Sequence, residues 1–547
     1  DAFERFLADP ENGLFKGPWV QLKRPFRAVG DDADIPFGID PGFTPFRHQW
    51  RSWKRLSSRH QSPSPTIVTT GTGSGKTECF LYPVLDHCLR MKQAGQKGIK
   101  AIVLYPMNAL ATDQEKRFAR TVHRNATLRQ AGIRVGNYTG RYDPAEPGAG
   151  AASGTLAMGS EHGISNHAVQ QEDPPDILLT NYKMLDYLLL RPQDQNLWRF
   201  NEPGVLQYLV LDELHTYDGA QGADVACLIR RLKERLNVQK GKLCVVGTSA
   251  TLEDRKSDSE ENDGMESGSE RLSKFAGRLF EENIPDEAII PEDRLRIEEM
   301  VHPNAEDIEL PAAEDCYPRD EEDALAFTVR QAAAWNAPTL PPTGDQTEEQ
   351  QDQALDEWAI ALGQWLKNCS LFGQLLEIFD EADGDQAGPV TWIKLVERLA
   401  QADAELQNVP RYEDRSTIVG SFFAMVAHAK ETRSKMVFPF VPTQVQLWIR
   451  ELRRLGRVVA EQPSFIWLDE PRQDKLSLPT FHCSECGESG WISVHDTTQD
   501  SAIQAQGVDG IQLSHDPKKI YSAWFGYKNV KSQHCVVIVP TADGKRN

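Results

Sequence analysis

The run TGTGSGKT, Thr70–Thr77, holds the residue types that a loop needs to bind the phosphates of a nucleotide. It follows a strand-like run, PTIVT, and opens a helix-like run, ECFLYPVLDHCLR, which is the context that a phosphate-binding loop requires. Glycines let backbone N–H groups turn toward the phosphates, and the helix adds its positive N-terminal end. We expect Lys76 to reach the β- and γ-phosphates and the Thr77 hydroxyl to ligate Mg²⁺. The predicted ATP-binding residues of the loop are Gly71, Thr72, Gly73, Ser74, Gly75, Lys76 and Thr77.

The loop departs from the strict pattern at one position, because Thr70 stands where that pattern has glycine. A glycine-rich surface turn is therefore the alternative interpretation of this string taken alone. A second element, YLVLDELH, argues against that alternative, because an apolar run here ends in Asp212 and Glu213. Nucleotide-binding α/β folds place the carboxylate that coordinates Mg²⁺ at such a strand end. The neighbouring glutamate can orient the attacking water and accept its proton.

These residues predict a catalytic group made of Lys76, Asp212 and Glu213, with Thr77 and Asp212 as Mg²⁺ ligands. The chemistry would be in-line attack of water on the γ-phosphate, with Mg²⁺ and Lys76 offsetting the charge. An ordinary acidic pair at a strand end is the alternative for Asp212 and Glu213. That alternative loses weight when a phosphate loop lies in the same sheet.

A sheet is needed to hold these two elements together. From Thr44 to about Leu252, short apolar runs alternate with longer amphipathic stretches. The apolar runs are PTIVTT, IKAIVLYP, DILLT, LQYLVLDE and KLCVVGTSAT. Strand-like runs that alternate with helices predict an α/β fold with a parallel sheet and helices on both faces.

The amino-acid composition limits which binding partners and which cellular compartment can be expected for the protein. The 547 residues carry 60 Lys and Arg against 80 Asp and Glu, a formal net charge of -20. Taken alone, that acidity argues against a nucleic-acid partner, since phosphate contact needs clustered basic residues, but a whole-chain sum can hide a local basic track. The nine cysteines are scattered, which is typical of a reducing compartment. With no apolar run of about 18–20 residues and no signal peptide, we predict a cytoplasmic protein without a membrane span.

The segment Asp212–His215, DELH, resembles the DExH box of superfamily-2 helicases, and other segments match that family in its order. PFRHQ resembles the adenine-reading segment, with Gln49 as the adenine contact. LYPMNALATDQ, YTGR and LLTNYKMLD resemble the nucleic-acid-contacting motifs, and GTSATL resembles the motif that couples hydrolysis to movement. The resemblance implies nucleic-acid contacts at Pro106, Asn108, Thr139, Gly140, Thr180 and Asn181, and coupling residues at His215, Ser249, Ala250 and Thr251. A hydrogen-bonded core histidine is the alternative for His215.

The wording around the motifs, notably LTNYKMLDYLL and DGAQGADVACLIRRL, is similar to that of YprA-like helicases with a C-terminal cysteine cluster. Relatives of that group occur in bacterial phage-defence systems such as DISARM and Druantia. The resemblance implies ATP and Mg²⁺ as cofactors, DNA as the partner with RNA as an alternative, and a possible defence-system protein partner. It implies a RecA-like sheet domain, the first of a helicase pair.

The predicted domains follow from composition and from this resemblance. We expect a lead-in over 1–43, the RecA-like domain over 44–290, a helical accessory region over 291–460, and a small β-rich Cys-containing module over 461–547. The acidic stretch 253–270 is predicted to be a mobile loop, and 336–353 has the same character. In the accessory region, one helix is predicted with an apolar face made of Leu355, Trp358, Ala359, Leu362, Trp365 and Leu366.

A second helix is predicted over Val441–Leu455, and a basic face of Arg450, Arg453, Arg454 and Arg457 at helical spacing could contact phosphates. A solvated face is the alternative for those arginines. Two other patterns are discounted. Asp380–Asp383 spells DEAD, but it follows the Ser-Ala-Thr segment and is interpreted as a solvated helix end. Cys483 and Cys486 resemble one half of a zinc knuckle, but structural zinc needs four ligands, so zinc is doubtful and a free, partly buried pair is the alternative.

The function predicted is ATP hydrolysis coupled to movement on nucleic acid, with an ATP-gated clamp or scaffold as the alternative. A sequence-specific regulator is disfavoured, because no recognition helix or finger pattern is found. After Thr251 no Gln-x-x-Gly-Arg-x-x-Arg segment of a second RecA-like domain is seen, and the chain starts at Asp1. We therefore expect further sequence or a partner to supply that domain and its arginine finger, and the isolated chain to hydrolyse ATP at background rates.

Overall fold

A computed structural model gives the structure of the protein, and it describes a defined set of residues. The described residues are 2–9, 13–30, 33–71, 73–139, 154–250, 268–341, 347–381, 389–433, 436–459, 464–468, 477–482, 489–494, 502–503, 513–514, 520–521 and 535–538. The chain forms two compact units. The sheet unit comprises Arg24–Met300 and Glu431–Phe438, and the second unit comprises Asp1–Lys23, Val301–Lys430 and Pro439–Asn547. Within the described ranges, no helix combines the length and the apolar character that crossing a bilayer requires.

The helices and strands are numbered in chain order. The helices are α1 (Ala2–Leu7), α2 (Arg47–Leu56), α3 (Lys76–Gln93), α4 (Asn108–Arg124), α5 (Ala126–Gln130), α6 (His167–Glu172), α7 (Tyr182–Leu190), α8 (Gly219–Arg235), α9 (Gly268–Phe280), α10 (Ile297–Met300), α11 (Ala313–Cys316), α12 (Ala324–Ala334), α13 (Glu348–Leu366), α14 (Ser370–Glu381), α15 (Trp392–Ala402), α16 (Ala404–Gln407) and α17 (Tyr412–His428). The strands are β1 (Phe15–Leu22), β2 (Thr66–Thr69), β3 (Ala101–Tyr105), β4 (Val135–Asn137), β5 (Ile177–Asn181), β6 (Tyr208–Leu211), β7 (Cys244–Ser249), β8 (Ile289–Pro291), β9 (Val390–Thr391), β10 (Lys430–Arg433), β11 (Met436–Pro439), β12 (Thr443–Ile449), β13 (Leu455–Val458), β14 (Phe465–Trp467), β15 (Ser477–His482), β16 (Ser489–Val494), β17 (Ala502–Ile503), β18 (Leu513–Ser514) and β19 (Cys535–Ile538).

The sheet unit is built on seven parallel strands in the order β4-β5-β3-β6-β7-β2-β8. The predicted parallel sheet is confirmed, and the five predicted apolar runs supply β2, β3, β5, β6 and β7. The two edge strands, β4 and β8, were not predicted. Each has three residues, which is too short for a periodic apolar pattern to stand out.

The two faces of the sheet divide the side chains of each strand between two cores. In β3, Ile102 and Leu104 face one core with α7, α8 and α9, while Val103 and Tyr105 face another with α2, α3 and α4. This alternation is the two-residue period of a strand, and full burial of one such side chain contributes about 1.5–3 kcal/mol. The predicted helices on both faces are therefore confirmed.

The parallel strands all end at one edge of the sheet, and the predicted site residues lie directly beyond those ends. The phosphate loop follows β2, Pro106 follows β3, Asn181 ends β5, Asp212 follows β6 and Ser249 ends β7. Ligands of open α/β sheets bind beyond the carboxyl ends of the strands. The topology thus gathers segments from across 180 residues of sequence into one site-bearing edge.

The second unit contains α11–α17 and sheets that include β1, β9, β12–β16 and β19. The helix predicted from its apolar face is α13, in which Trp358, Ala359, Leu362 and Leu366 are buried. Thr347 caps α13 by accepting a hydrogen bond from the Gln350 N–H. The loop-like character predicted for residues 348–353 is therefore wrong, because a capping box starts the helix there.

The helix predicted over Val441–Leu455 is also wrong. Thr443–Ile449 of this stretch is strand β12, which pairs antiparallel with β1 from Phe15↔Ile449 to Leu22↔Thr443. Its Val445, Leu447 and Ile449 alternate along a strand, and pairing with β1 overrides the helical spacing. The arginines of the predicted basic helical face are spread over a loop, a single 3₁₀ turn and β13, so that face does not exist as a helix.

The remaining predictions of this region have mixed outcomes. Residues 251–267 of the predicted acidic loop lie outside the described residues, while 268–270 open α9 and are helical. Asp380 lies at the end of α14, in agreement with a helix end. Short strands from residue 465 onward form a sheet in the order β14-β13-β15-β16-β19, so the β-rich module is present, and β13 joins it from before residue 461. Cys483 and Cys486 lie outside the described residues.

Candidate nucleotide site and the adjoining cleft

The phosphate loop joins β2 to α3 with two glycines in left-handed backbone conformations. Gly73 has φ 80° and Gly75, at the start of α3, has φ 75°, a region that favours glycine. Thr70 has no positive φ, so the fold does not need glycine there. The Thr70 hydroxyl instead lies 2.6 Å from the Ser74 hydroxyl and ties the two ends of the turn together. The departure from the strict pattern thus costs the loop nothing.

Helix α2 holds the loop from one side. His48 Nε2 lies 2.9 Å from the Ser74 carbonyl oxygen, and because a carbonyl only accepts, Nε2 carries the proton. Burial lowers the pKa of His48 and keeps the ring neutral. The Gln49 amide donates to the Gly75 carbonyl at 3.3 Å and accepts the Phe46 N–H at 2.9 Å. Gln49 therefore shapes the loop, and its predicted contact with adenine stays a prediction.

The side chains that the loop directs toward the strand ends are Lys76 and Thr77. Lys76 Nζ lies 3.5 Å from Glu213 Oε1, so the lysine faces the acidic pair predicted to act with it. The Thr77 hydroxyl donates to Gln114 Oε1 at 3.2 Å, and Arg117 Nη1 lies 3.4 Å from that hydroxyl. Gln114 and Arg117 belong to α4 and were not predicted as site residues.

Asp212 and Glu213 lie directly beyond β6, and Thr248 of the neighbouring strand β7 binds both. The Thr248 hydroxyl donates to Asp212 Oδ1 and lies 3.3 Å from the Glu213 N–H, which donates to it. Burial raises the pKa of Asp212, an effect that the Thr248 hydrogen bond opposes. Glu213 has φ 51°, a left-handed conformation unusual for a non-glycine residue.

His215 links the acidic pair to the end of β7. Its Nδ1 lies 3.3 Å from Ser249 Oγ and 3.4 Å from Glu213 Oε2. The side chain is 50% exposed, so the alternative of a core histidine is wrong. The Ser249 carbonyl accepts the Thr70 N–H at 3.3 Å. The structure therefore brings together the phosphate loop, the acidic pair and two of the predicted coupling residues; it records no such contact for Ala250, and Thr251 lies outside the described residues.

The residues present fit the bound Mg²⁺ and ATP that the sequence predicts. The loop has an open approach at Gly73, where a Cβ would meet nothing within 4 Å. Hydroxyl and carboxylate oxygens, from Thr77 and Asp212, are the ligand types that Mg²⁺ prefers. Thr72 of the loop lies outside the described residues. Among the described residues, no group of three or more His, Cys, Asp or Glu side chains is arranged to hold a metal ion.

Glu292 is a further site residue that the motifs did not indicate. It follows β8, and its Oε2 accepts the Gly71 N–H at 3.0 Å. Arg294 Nε donates to Glu292 Oε1 at 2.7 Å, and the Arg294 guanidinium lies 4.0 Å from the Phe26 ring centroid. Burial alone would raise the pKa of Glu292, but the hydrogen bonds from Arg294 and Gly71 outweigh burial and lower it. Glu292 thus holds the first turn of the loop as a carboxylate.

An open cleft of about 530 Å³ lies beyond the ends of β3 and β5. Asn181 Nδ2 donates to Asn108 Oδ1 at 2.6 Å across it. Helices α4 and α7 both begin at this cleft, so their positive N-terminal ends lie there. The residues that line the cleft are Pro106, Met107, Asn108, Asn181, Tyr182, Lys183, Met184, Tyr187 and Gln221.

Three of the predicted nucleic-acid contacts, Pro106, Asn108 and Asn181, therefore share one cleft. Thr180 is fully buried, and its hydroxyl donates to the Tyr138 carbonyl at 2.6 Å. Thr139 is also buried, and Gly140 lies outside the described residues. The nucleic-acid contacts predicted for all six residues stay predictions. Met107, Lys183 and Tyr187 were not predicted as site residues, although Met107 and Lys183 lie within motifs used in the sequence analysis and Tyr187 directly follows one.

A parallel sheet with a phosphate loop after one strand and an Asp-Glu pair after another defines a RecA-like ATPase domain of the phosphate-loop class. Residues 46–259 match the DEAD/DEAH box helicase family model. This part of the chain is similar to DEAD/DEAH box helicase domains, including that of the YprA helicase.

Several known proteins are similar to this chain. The Druantia protein DruE of Escherichia coli is 29% identical over a match that covers 38% of this chain and 16% of DruE. The uncharacterized ATP-dependent helicase YprA of Bacillus subtilis is 30% identical, covering 39% of this chain and 23% of YprA. The chain thus matches less than a quarter of the length of these two relatives. A crystal structure of the DUF1998 helicase MrfA bound to DNA and AMPPNP is 22% identical, with a TM-score of 0.33, and covers 53% of this chain and 33% of that one.

Proposed function

We propose that the chain hydrolyses ATP and couples the hydrolysis to movement along a nucleic-acid strand, with DNA as the expected strand. The observation that carries the proposal is the set of hydrogen bonds by which Thr248, Ser249 and His215 join the phosphate loop to the acidic pair. The cleft lies along the same sheet edge. A change at the acidic pair therefore has a direct route to the strand ends that border the cleft. Residues 44–290 remain the proposed extent of the ATP-binding domain.

The residues of the site divide the work of hydrolysis. Bound Mg²⁺ and ATP supply the phosphoanhydride bond to be broken and part of the charge compensation. Lys76 offsets negative charge on the transferring phosphoryl group, and Glu213 orients water and accepts its proton. Asp212 and Thr77 would hold the metal ion through oxygen atoms. Before a nucleotide binds, Glu213 is the nearby anion that faces Lys76.

The cleft supplies contacts for the strand. Helix N-termini favour phosphate groups, the two asparagine amides can donate hydrogen bonds, and Lys183 adds a positive charge. Such contacts bind the backbone and do not read sequence. The net negative charge of the chain does not exclude such binding, because a local site can bind phosphate whatever the net charge of the whole chain.

An ATP-gated clamp or scaffold is the second candidate, since it would use the same loop and cleft without directional movement. The deciding experiment supplies the expected second RecA-like domain, through further sequence or a partner, and measures the ATPase rate without nucleic acid and with single- or double-stranded DNA or RNA, together with strand displacement. Stimulation by one nucleic acid, with displacement, supports the motor. Binding that depends on ATP without displacement or stimulated turnover supports the clamp. The proposal would be contradicted if none of the four nucleic acids changed the rate of ATP turnover and none of them bound to the protein.

We further propose that the protein acts in the cytoplasm of a bacterium, in defence against phage. The support is the similarity to the Druantia protein DruE. The test compares phage plaque counts on cells that carry the native gene in its own operon or the Glu213→Gln variant. Equal plaque counts for both strains, over a panel of phages, would contradict a role in defence and leave the ATPase proposal standing.

A further inference from the structure

The cleft presents two large side chains to solvent. Met107 is 60% exposed and Tyr187 is 48% exposed, and both line the cleft. Met107 stands directly before α4, and Tyr187 lies in the second turn of α7. An exposed aromatic ring and an exposed methionine, in a cleft that also carries amides and a lysine, mark a binding surface with an apolar component.

The Tyr187 ring is supported from one side. The guanidinium of Arg191 lies 4.0 Å from the ring centroid, within the range of a cation–π contact. Arg191 ends α7, and its N–H donates to the Tyr187 carbonyl at 2.9 Å, so a short backbone link fixes the pair. A ring held in this way loses little conformational freedom when a flat ligand stacks on it.

The polar and apolar parts of the cleft suit two chemically different parts of one ligand. Asn108, Asn181 and the helix starts suit a sugar-phosphate backbone, whereas Tyr187 and Met107 suit a flat apolar surface. A nucleic-acid strand offers both only when its bases are unstacked, since a duplex hides the faces of its bases within the stack.

We propose that Tyr187, with Met107 beside the same cleft, forms a stacking subsite for an unstacked nucleobase, so that the cleft selects single strands by base as well as by backbone. The inference rests on the proposed function, because it assumes that the cleft binds nucleic acid. Stacking tolerates all four bases, since every base has a π-face. The subsite therefore requires the presence of a base and gives little preference for its identity.

The test uses the full 547-residue chain and two fluorescent strands of equal length and charge, a twelve-nucleotide oligothymidine and its fully abasic counterpart. Fluorescence anisotropy gives the dissociation constant for each. Base–aromatic stacking of about 1 kcal/mol or more predicts that the native chain binds the oligothymidine at least about fivefold more tightly. Tyr187→Ala should bring the oligothymidine affinity down to the abasic value, and Tyr187→Phe should preserve the native difference.

Leu190→Ala is the matched control, because Leu190 is on the same helix, is 59% exposed and is not among the residues that line the cleft. It should leave both affinities unchanged. Equal native affinities for the two strands, or an unchanged difference in Tyr187→Ala, would overturn the stacking subsite while leaving backbone binding intact. Binding to neither strand would overturn the proposed function as well. A surface for a protein partner would give that last result.

Discussion

The nucleotide loop and the cleft lie along one edge of the same sheet, yet they are built in opposite ways. At the loop, Thr70, Ser74 and the α2 residue Gln49 are almost fully buried and hydrogen-bonded to one another or to the backbone. In the cleft, Met107 and Tyr187 are more than two-fifths exposed. A small ligand such as a triphosphate binds well to a preformed, buried site. A polymer that must slide needs an open surface with modest contacts.

The difference sets how each region should respond to change. In a buried network, the loss of one group leaves others unpaired and costs far more than the lost contact. On an open surface, each contact contributes a small and nearly independent amount. Substitutions near the loop should therefore be severe and those in the cleft graded. The four predictions that follow test this contrast in order of expected effect.

The largest effect is expected from Lys76→Ala. Assayed together with the expected second RecA-like domain, the variant should lose ATP turnover by at least about a hundredfold, because one preorganised positive charge at the transferring group is removed. Steady-state phosphate release measures the effect, and circular dichroism checks that the fold survives. Lys240→Ala, at an exposed lysine in a turn, is the control and should hydrolyse normally. A Lys76→Ala variant as active as the native chain would remove the loop from the catalytic site.

Glu213→Gln should block hydrolysis while preserving nucleotide binding. Glutamine can still hydrogen-bond water but cannot accept its proton, so the rate should fall by about a hundredfold or more. Binding of a fluorescent ATP analogue and single-turnover hydrolysis separate the two effects. Glu202→Gln, at an exposed position, is the control. Collapse of nucleotide affinity would instead make Glu213 a metal-binding or structural group.

A smaller effect is expected on the pH dependence of the free energy of unfolding, through the buried residue His87. His87 lies within α3, whose first residues belong to the phosphate loop, and burial, aided by Arg90 and Lys100, lowers its pKa to about 3. The folded protein thus keeps His87 neutral, while the unfolded chain takes up a proton near its ordinary value of 6.5. Stability is therefore full above that value and falls as the pH drops through it toward 3.

Urea unfolding at pH 7 and pH 5 tests this linkage. When the pH falls from 7 to 5, protonation of His87 in the unfolded chain should lower the free energy of unfolding by about 2 kcal/mol. The His87→Gln variant should not show this part of the decrease. His60→Gln, at an exposed histidine, is the control and should keep the native pH dependence. The same pH dependence in His87→Gln as in the native chain would show that other groups account for it.

The smallest effect is expected in the cleft. Lys183→Ala should weaken binding to single-stranded DNA only a few-fold and lower the slope of log affinity against log salt by about one. Anisotropy titrations between 50 and 200 mM salt, values chosen to span about two doublings, measure the slope. Lys240→Ala is again the control. An unchanged slope would show that Lys183 does not contact a phosphate, and a loss as large as that of Lys76→Ala would erase the contrast between the two regions.

The sequence predicted those parts of the fold and site that are contiguous in the chain. The phosphate loop and the DELH segment each carry their chemistry within eight residues, and the apolar runs beside them predicted five of the sheet strands. Glu292 could not be predicted, because it meets Gly71 across 221 residues of sequence through the short strand β8. The contact between Thr248 and Asp212 depends on β6 and β7 being neighbours, which strand order decides and a single motif does not.

The wrong helix over Val441–Leu455 has a physical cause of its own. Val445, Trp448, Leu452 and Leu455 are spaced three or four apart, which is the pattern of an amphipathic helix. The same stretch has β-branched and aromatic residues that suit a strand, and β1 is available as a partner. Pairing between distant segments decided the outcome, and nothing local to the stretch showed that β1 would be there.

The backbone at Glu213 bears on how the protein can evolve. A left-handed φ of 51° costs a non-glycine residue about 1–2 kcal/mol, so the chain is less stable with its proposed catalytic base than it would be with glycine. Glu213→Gly should unfold at a higher temperature than the native protein and release no phosphate, which differential scanning calorimetry and an ATPase assay can check. Lineages that lost the need for hydrolysis would gain stability by losing this side chain.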